Sequence, residues 1–321
     1  MPAKIKFELK TGLATREAFG KALAELGRVN PNVVVLDADL SKSTYTAEFG
    51  KAFPERFVEC GIAEADMVAI ASGLALGGKI PFASSFSVFL LNKGFEQLRV
   101  TAAFPNVNLK IVGTHSGISI GEDGPSQMSI EDLSLACSLP GFTVMSPADE
   151  VATKALVNRA AAVFGPMFIR TGRLKVPVIY AEDQVFEIGK AIQLIEGSDV
   201  TLIATGLMVA ESIRAAETLE TEGVSARVID MHTIKPLDRD AISRAAAETG
   251  AIVVAEEHLL DAGLGVRVAQ VVAETHPAVM EFVGIDNTYA ESATPDQLLD
   301  KYGLRAVNVA AAARRAIARK R

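Results

Sequence analysis

The sequence contains no tryptophan, only two cysteines and four histidines in 321 residues, and 6% aromatic residues. Cys60 and Cys137 sit in apolar surroundings without metal-type spacing. That excludes a disulfide scaffold and a zinc module, and fits reduced thiols in a cytosolic protein. Positive charge is scarce as well: 32 Lys and Arg against 39 Asp and Glu give a net charge of −7. A dedicated nucleic-acid binder needs clustered cations, so that class is disfavoured. The basic residues that do cluster are Arg314, Arg315, Arg319, Lys320 and Arg321, and they read as a solvated helix end. The most apolar region, 68–91, is interrupted by Lys79 and Pro81 and is no membrane span. The opening MPAKIKFEL lacks the apolar core of a signal peptide. The expectation is a cytoplasmic globular protein, long enough for two domains.

What is present is an alternation of apolar runs and helical patterns. Strand-like runs at 32–40, 56–60, 80–85, 108–114, 142–145 and 166–170 are separated by helices, the first over 15–26. The β-branched run NVVVLDADL is continuous enough to be buried on both faces. A weakly patterned region, 173–199, reads as a crossover, after which strands at 200–205, 226–231, 251–257 and 279–285 alternate with helices again. The predicted fold is therefore α/β, with two doubly wound, mostly parallel sheets in domains 1–188 and 189–321.

In such sheets ligands gather at the carboxyl ends of the strands, so the polar segments 39–43, 61–64, 84–89 and 115–127 are expected to converge. The stretch CGIAEADMVAIASGLALGG is central among them. Met67, Val68, Ile70, Ala71, Leu74 and Ala75 wrap an apolar face around most of its helix, which predicts a buried helix with Glu64 at its shielded end. Glu64 is then either a working acid or a first-turn carboxylate that, with Asp66, complements the helix dipole. The loop after residue 113 holds His115, Glu122, Asp123 and Gln127 among glycines. It contains neither GxxxxGK[ST] nor GxGxxG, so it suits a polyhydroxylated ligand better than a pyrophosphate, or is an ordinary turn. Phe86 and Phe89 are core or ring-stacking residues. Arg16 and Arg170 lie at ends of elements of one sheet, either as isolated charges or as a joint phosphate clamp. Glu256, Glu257 and His258 read as structural or interface residues.

GIAEADMVAIASGLAL, PFASSFSVF, GTHSGISIGEDGPSQMSIEDL, FIRTGR and IKPLDR, in this order and spacing, resemble the pyrimidine-binding and C-terminal domains of transketolases across essentially the whole chain. The family's GDG-and-Asn signature for Mg²⁺ and pyrophosphate has no counterpart, so the chain resembles the second half of a split transketolase. The resemblance implies a thiamine diphosphate-binding pyrimidine domain followed by a smaller transketolase C-terminal domain. It implies Glu64 as the catalytic carboxyl facing the aminopyrimidine of thiamine diphosphate, with Phe86, Phe89, Gln127 and Asp39 around the cofactor. It further implies Arg16, Ser43, His115, Asp123 and Arg170 as substrate-binding residues, and no metal ligand in this chain. Mg²⁺ or Ca²⁺ would be bound mainly by a partner, an N-terminal subunit carrying the pyrophosphate domain, within an α₂β₂ assembly in which this chain also self-associates. Lys93 stands near where relatives often carry Arg, and SSF replaces the more usual STF. The implied activity is two-carbon ketol transfer between phosphorylated sugars. Alternatives are a 2-oxoacid dehydrogenase β subunit, a deoxyxylulose phosphate synthase-like enzyme, or a non-catalytic regulatory partner. His115, GEDGPSQ and the two arginines favour sugar phosphates.

Overall fold

A computed structural model describes residues 7–320. The first six residues of the MPAKIKFEL segment, and Arg321 of the basic run, lie outside the described residues. The chain forms two sheets of mostly parallel strands. The first has seven strands in the order Thr233–Lys235, Thr143–Met145, Met167–Arg170, Lys110–Thr114, Ile80–Phe86, Val33–Asp37, Phe57–Glu59. The second has five, in the order Val279–Ile285, Ala251–Leu259, Val200–Ala204, Ala226–Asp230, Ile192–Ile195. A small antiparallel ribbon pairs Thr11–Ala14 with Lys175–Pro177.

Strand Val33–Asp37 shows why the first sheet is covered on both sides. Its residues are all buried. Val33 and Val35 join one core cluster with Phe19, Leu23 and Leu156, whereas Leu36 joins another with Met67, Val68, Leu90 and Leu91. Successive side chains point to opposite faces, so each face needs its own helical layer. The register brings the carboxyl ends of four adjacent strands to one edge: Asp37 pairs with both Glu59 and Ser84, and Phe86 with Thr114. The expected polar segments therefore emerge along one edge.

Three features differ from the sequence expectation. The region 173–199 contributes a real strand, Ile192–Ile195, antiparallel at the edge of the second sheet. Strand Thr233–Lys235 returns to the first sheet and pairs antiparallel with Thr143–Met145, so the two sheets are laced together. The third concerns helix Glu64–Leu76, which was expected to be buried. One face is packed through Met67, Val68 and Ala71, but Ile70 is 38% and Leu76 74% exposed, beside Ile62 at 75%. A β-carbon added at Gly73 would meet nothing within 4 Å. The all-round apolar pattern thus serves one face covered by this chain and one face that this chain leaves open. Among the described residues no helix is long and apolar enough to cross a membrane.

Candidate active site

Strand Ile80–Phe86 ends directly at helix Ser87–Gln97, so Phe86 and Phe89 fall one turn apart at the sheet edge. Their rings stack with centroids 5.7 Å apart and planes 9° from parallel, a geometry favoured by aromatic pairs. Lys93, one turn beyond Phe89, holds its ammonium 4.7 Å from the Phe89 centroid. The same ammonium lies 3.2 Å from each carboxylate oxygen of Glu64. The Glu64 side chain is 3% exposed and that of Lys93 50%. Glu64 is the first residue of its helix, delivered by the left-handed turn at Gly61 (φ 68°).

On the other side of Phe86 lies His115, its ring stacked 3.7 Å away. His115 follows strand Lys110–Thr114 at φ 57°, a left-handed conformation that non-glycine residues seldom adopt and that concentrates at functional sites. Its Nε2 stands 2.9 Å from an Arg16 terminal nitrogen. A guanidinium only donates, so Nε2 accepts and Nδ1 carries the proton, which it donates to Thr114 Oγ1 at 2.8 Å. Burial, followed by the positive charges of Arg16 and Arg173, pushes His115 down to about 2; the imidazole is neutral at physiological pH. The same Arg16 nitrogen donates to the Ser43 carbonyl at 2.8 Å. Glu64, Lys93, Phe89, Phe86, His115, Arg16 and Ser43 therefore form one continuous row.

Arg16 still has an unspent donor: its Nε is buried and has no partner among the described residues. Burial holds this guanidinium below its ordinary value; the charge of Arg173 adds to the effect, while Tyr45, Glu17 and Asp123 oppose it. Asp123 is exposed on the glycine loop, close enough to act on Arg16 by charge, and Gln127 is half-buried farther along the same loop. Ser43 enters the row through its backbone carbonyl, not its hydroxyl.

The two aspartates of LDADL differ. Asp37 is fully buried and accepts hydrogen bonds from Thr44 Oγ1 (2.7 Å), Thr46 Oγ1 (2.8 Å) and the Leu40 amide (2.7 Å). Burial pushes it up to about 6 against those three bonds. It shapes the 38–46 loop that supplies the Ser43 carbonyl. Asp39 is exposed at φ 60°, its amide donating to Glu59 Oε1 at 2.7 Å.

Arg170, expected beside Arg16, is elsewhere and requires a correction. It closes strand Met167–Arg170 and turns inward. Its Nε donates to Asp132 Oδ2 at 2.8 Å, and a terminal nitrogen donates to the carbonyls of Glu257 (2.9 Å) and Ser129 (3.3 Å). A guanidinium that neutralises a fully buried carboxylate is not free to meet an anion from solution. The member of FIRTGR that joins the row is Arg173. It donates to the Ile120 carbonyl and to Glu122 Oε2, and its charge acts on both Arg16 and His115. Arg173 lies three residues beyond the end of the strand, which closes at Arg170. The signal for Lys93 is its spacing of four from Phe89.

Comparison with known proteins places the chain in a family. The family described as transketolase, pyrimidine binding domain, matches residues 11–178, and that described as transketolase, C-terminal domain, matches 189–309. The transketolase C-terminal section of Methanocaldococcus jannaschii is 42% identical, over 92% of this chain and 93% of its own length. A 6-deoxy-6-sulfo-D-fructose transketolase subunit from a Clostridium species is 38% identical over 95% of both chains. Human transketolase is 39% identical over 95% of this chain, which spans only 49% of the human protein. A solved structure titled split gene transketolase, inactive β4 tetramer, superposes with a TM-score of 0.91 at 49% identity, covering 97% of this chain and all of that one. The chain belongs to the transketolase family and corresponds to that family's pyrimidine-binding and C-terminal domains.

Proposed function

We propose that this chain is one subunit of a thiamine diphosphate-dependent transketolase that moves a two-carbon ketol unit between phosphorylated sugars, with the row from Glu64 to Arg16 as its share of the active site. Family membership implies the cofactor. The residues fit its pyrimidine: a shielded carboxylate beside two stacked phenyl rings suits a flat heteroaromatic ring bearing nitrogen donors. When bound, thiamine diphosphate supplies a centre that stores the electron pair released on carbon–carbon cleavage.

The side chains divide the remaining work. Glu64 accepts a hydrogen bond from a ring nitrogen and moves a proton at its carboxylate oxygens, away from water. Phe86 and Phe89 form the wall that orients the ring. His115, neutral with its Nδ1 proton committed to Thr114, presents Nε2 purely as an acceptor for a substrate hydroxyl. Arg16 and Arg173 hold the terminal oxyanion, and Asp123 accepts from a sugar hydroxyl. Gln127 faces the thiazolium side in this reading, and Asp39 lies at the rim near the subunit boundary.

The open face of helix Glu64–Leu76 supports a partner chain at this edge. In the proposal that partner is the N-terminal subunit, which carries the diphosphate site and its Mg²⁺ or Ca²⁺, in an α₂β₂ complex. The solved split-gene relative, an inactive tetramer titled as β chains alone, supports the need for a second kind of subunit.

The observation that carries the substrate class is the pair of neighbouring guanidiniums, one with a buried, unpartnered Nε. Such a pair recognises a tetrahedral oxyanion. A sulfonated ketose is a second reading, because the Clostridium relative is named for one and a sulfonate meets the same donors. The test is turnover by this chain reconstituted with an N-terminal-type subunit. Xylulose 5-phosphate, 6-deoxy-6-sulfofructose and pyruvate are offered in parallel. Ketol transfer from the phosphorylated sugar supports the proposal, and preference for the sulfonate supports the second reading. Decarboxylation of pyruvate without ketol transfer overturns both.

A further inference from the structure

The loop 115–131 leaves the first sheet at His115 and returns at helix Asp132–Ser138, carrying Asp123 and Gln127 on the way. It is closed internally, with the Gly117 amide donating to the Ser129 carbonyl at 2.7 Å. Its outer support comes from the second domain. Glu257, near the end of strand Ala251–Leu259, is 4% exposed, and its Oε1 accepts from the Ser119 amide at 2.6 Å. Gly117 has φ 80°, and a β-carbon there would stand 2.1 Å from Glu257 Cδ, so the approach requires glycine on both conformational and steric grounds. The Leu259 amide donates to the Ile130 carbonyl at 2.9 Å. Arg170 bridges the same junction through the Glu257 and Ser129 carbonyls. Farther out, Gly121 and Gly124 back directly onto Pro295 and Ser292.

We propose that Glu257 is a positioning residue: through the Ser119 amide it fixes the loop that presents His115 and Asp123, so that the second domain sets affinity for the phosphorylated substrate. The inference rests on the proposed function. A buried carboxylate–amide hydrogen bond is among the stronger kinds, and without it the Ser119 amide loses its partner in a dry junction. Displacement of a binding group by about 1 Å is enough to matter at a site that works by orientation. Burial pushes Glu257 up to about 7, opposed by Arg170 and by the Ser119 bond. The bond to Ser119 needs only an acceptor oxygen, which both protonation states offer.

The test compares Glu257→Ala, Glu257→Gln and wild type in the full two-subunit holoenzyme. Each is read by steady-state kinetics with xylulose 5-phosphate and by amide hydrogen exchange. Glu257→Ala raises KM about tenfold, leaves kcat within about threefold, and accelerates exchange at 116–130 but not in strand Val33–Asp37. Glu257→Gln, which keeps an acceptor oxygen, restores KM to within about threefold of wild type. Unchanged KM and unchanged loop exchange in Glu257→Ala overturn the proposal. So does a Gln variant no better than Ala, or a uniform loss of protection across both sheets. If the wild-type holoenzyme transfers no ketol unit, the functional reading falls, while loop exchange in the variants still decides whether Glu257 anchors the loop.

Discussion

Two regions of this molecule are built from the same residue types and differ in how fully their hydrogen-bonding capacity is spent. At the junction of the two sheets, Arg170, Asp132, Glu256, Glu257 and His258 are all buried, and each is committed to the protein. Asp132 takes Arg170 and the Ser87 hydroxyl, Glu256 takes the amides of Leu264 and Gly265, and Glu257 takes that of Ser119. Along the row, by contrast, Glu64 is met by a half-exposed lysine, and Arg16 keeps a buried Nε with no partner. Native interiors leave few polar groups unsatisfied. The open Arg16 donor beside a cluster of charge suits a ligand, whereas the bonds of these five junction residues hold two layers together.

The largest effect expected from this contrast is chemical. Glu64→Ala lowers turnover of the reconstituted complex by about 10²–10⁴-fold while leaving assembly unchanged, as read by assay and size-exclusion chromatography. The next is thermodynamic. Arg170→Met strands the buried Asp132 carboxylate and costs about 3–5 kcal/mol in denaturant unfolding, whereas Arg173→Met costs no more than about 0.5 kcal/mol. The contrast inverts in kinetics: Arg173→Met raises KM for a phosphorylated ketose about 10–100-fold through loss of charge-assisted bonds and leaves that for the unphosphorylated sugar unchanged. Equal behaviour of the two arginines in both measurements breaks the distinction.

A smaller effect lies in pH. His115 is neutral when folded down to about 2, whereas an unfolded histidine takes up a proton near 6.5. The unfolded chain thus binds the extra proton across that window, so this residue's contribution is present above about 6.5 and is lost as pH falls. His115→Gln flattens the acid limb of the stability profile between about pH 6.5 and 4. Asp37 has the opposite sign. Its folded value of about 6 lies above the ordinary carboxylate, so its contribution is present at low pH and is lost as pH rises through about 6. Wild type therefore gains stability relative to Asp37→Asn as pH falls through about 6. The smallest effect belongs to the open helix face: Leu76→Ser changes folding stability by less than about 0.5 kcal/mol and registers only as weaker assembly with the partner subunit.

Much of this was legible in the residues. The β-branched run at 33–37 and its relatives announce a parallel sheet because both faces are buried, and buried strands cannot alternate. Strands Ile192–Ile195 and Thr233–Lys235 escape such reading: one lies at a sheet edge, the other is three residues long, and tertiary pairing defines both. Helix Glu64–Leu76 reads as fully buried because sequence reports that a face is apolar, not which chain covers it. The choice between Arg170 and Arg173 turns on a strand end. Arg170 is still within the ladder and is bonded into the junction, whereas Arg173 lies beyond the strand end and bonds the 115–131 loop. No periodicity encodes that distinction. Lys93 escaped as a contact because its reach to Glu64 spans two helices, 29 residues apart in sequence.

In the proposed function, the shielded carboxylate of Glu64 and the rings beside it receive the pyrimidine of thiamine diphosphate. Calorimetric titration of the cofactor into this chain mixed with its N-terminal-type partner tests it most directly, with Glu64→Ala alongside wild type. The predicted result is saturable binding to wild type and binding at least about tenfold weaker in the variant, as loss of a buried charge-assisted hydrogen bond requires. Equal affinity in the two proteins contradicts the claim.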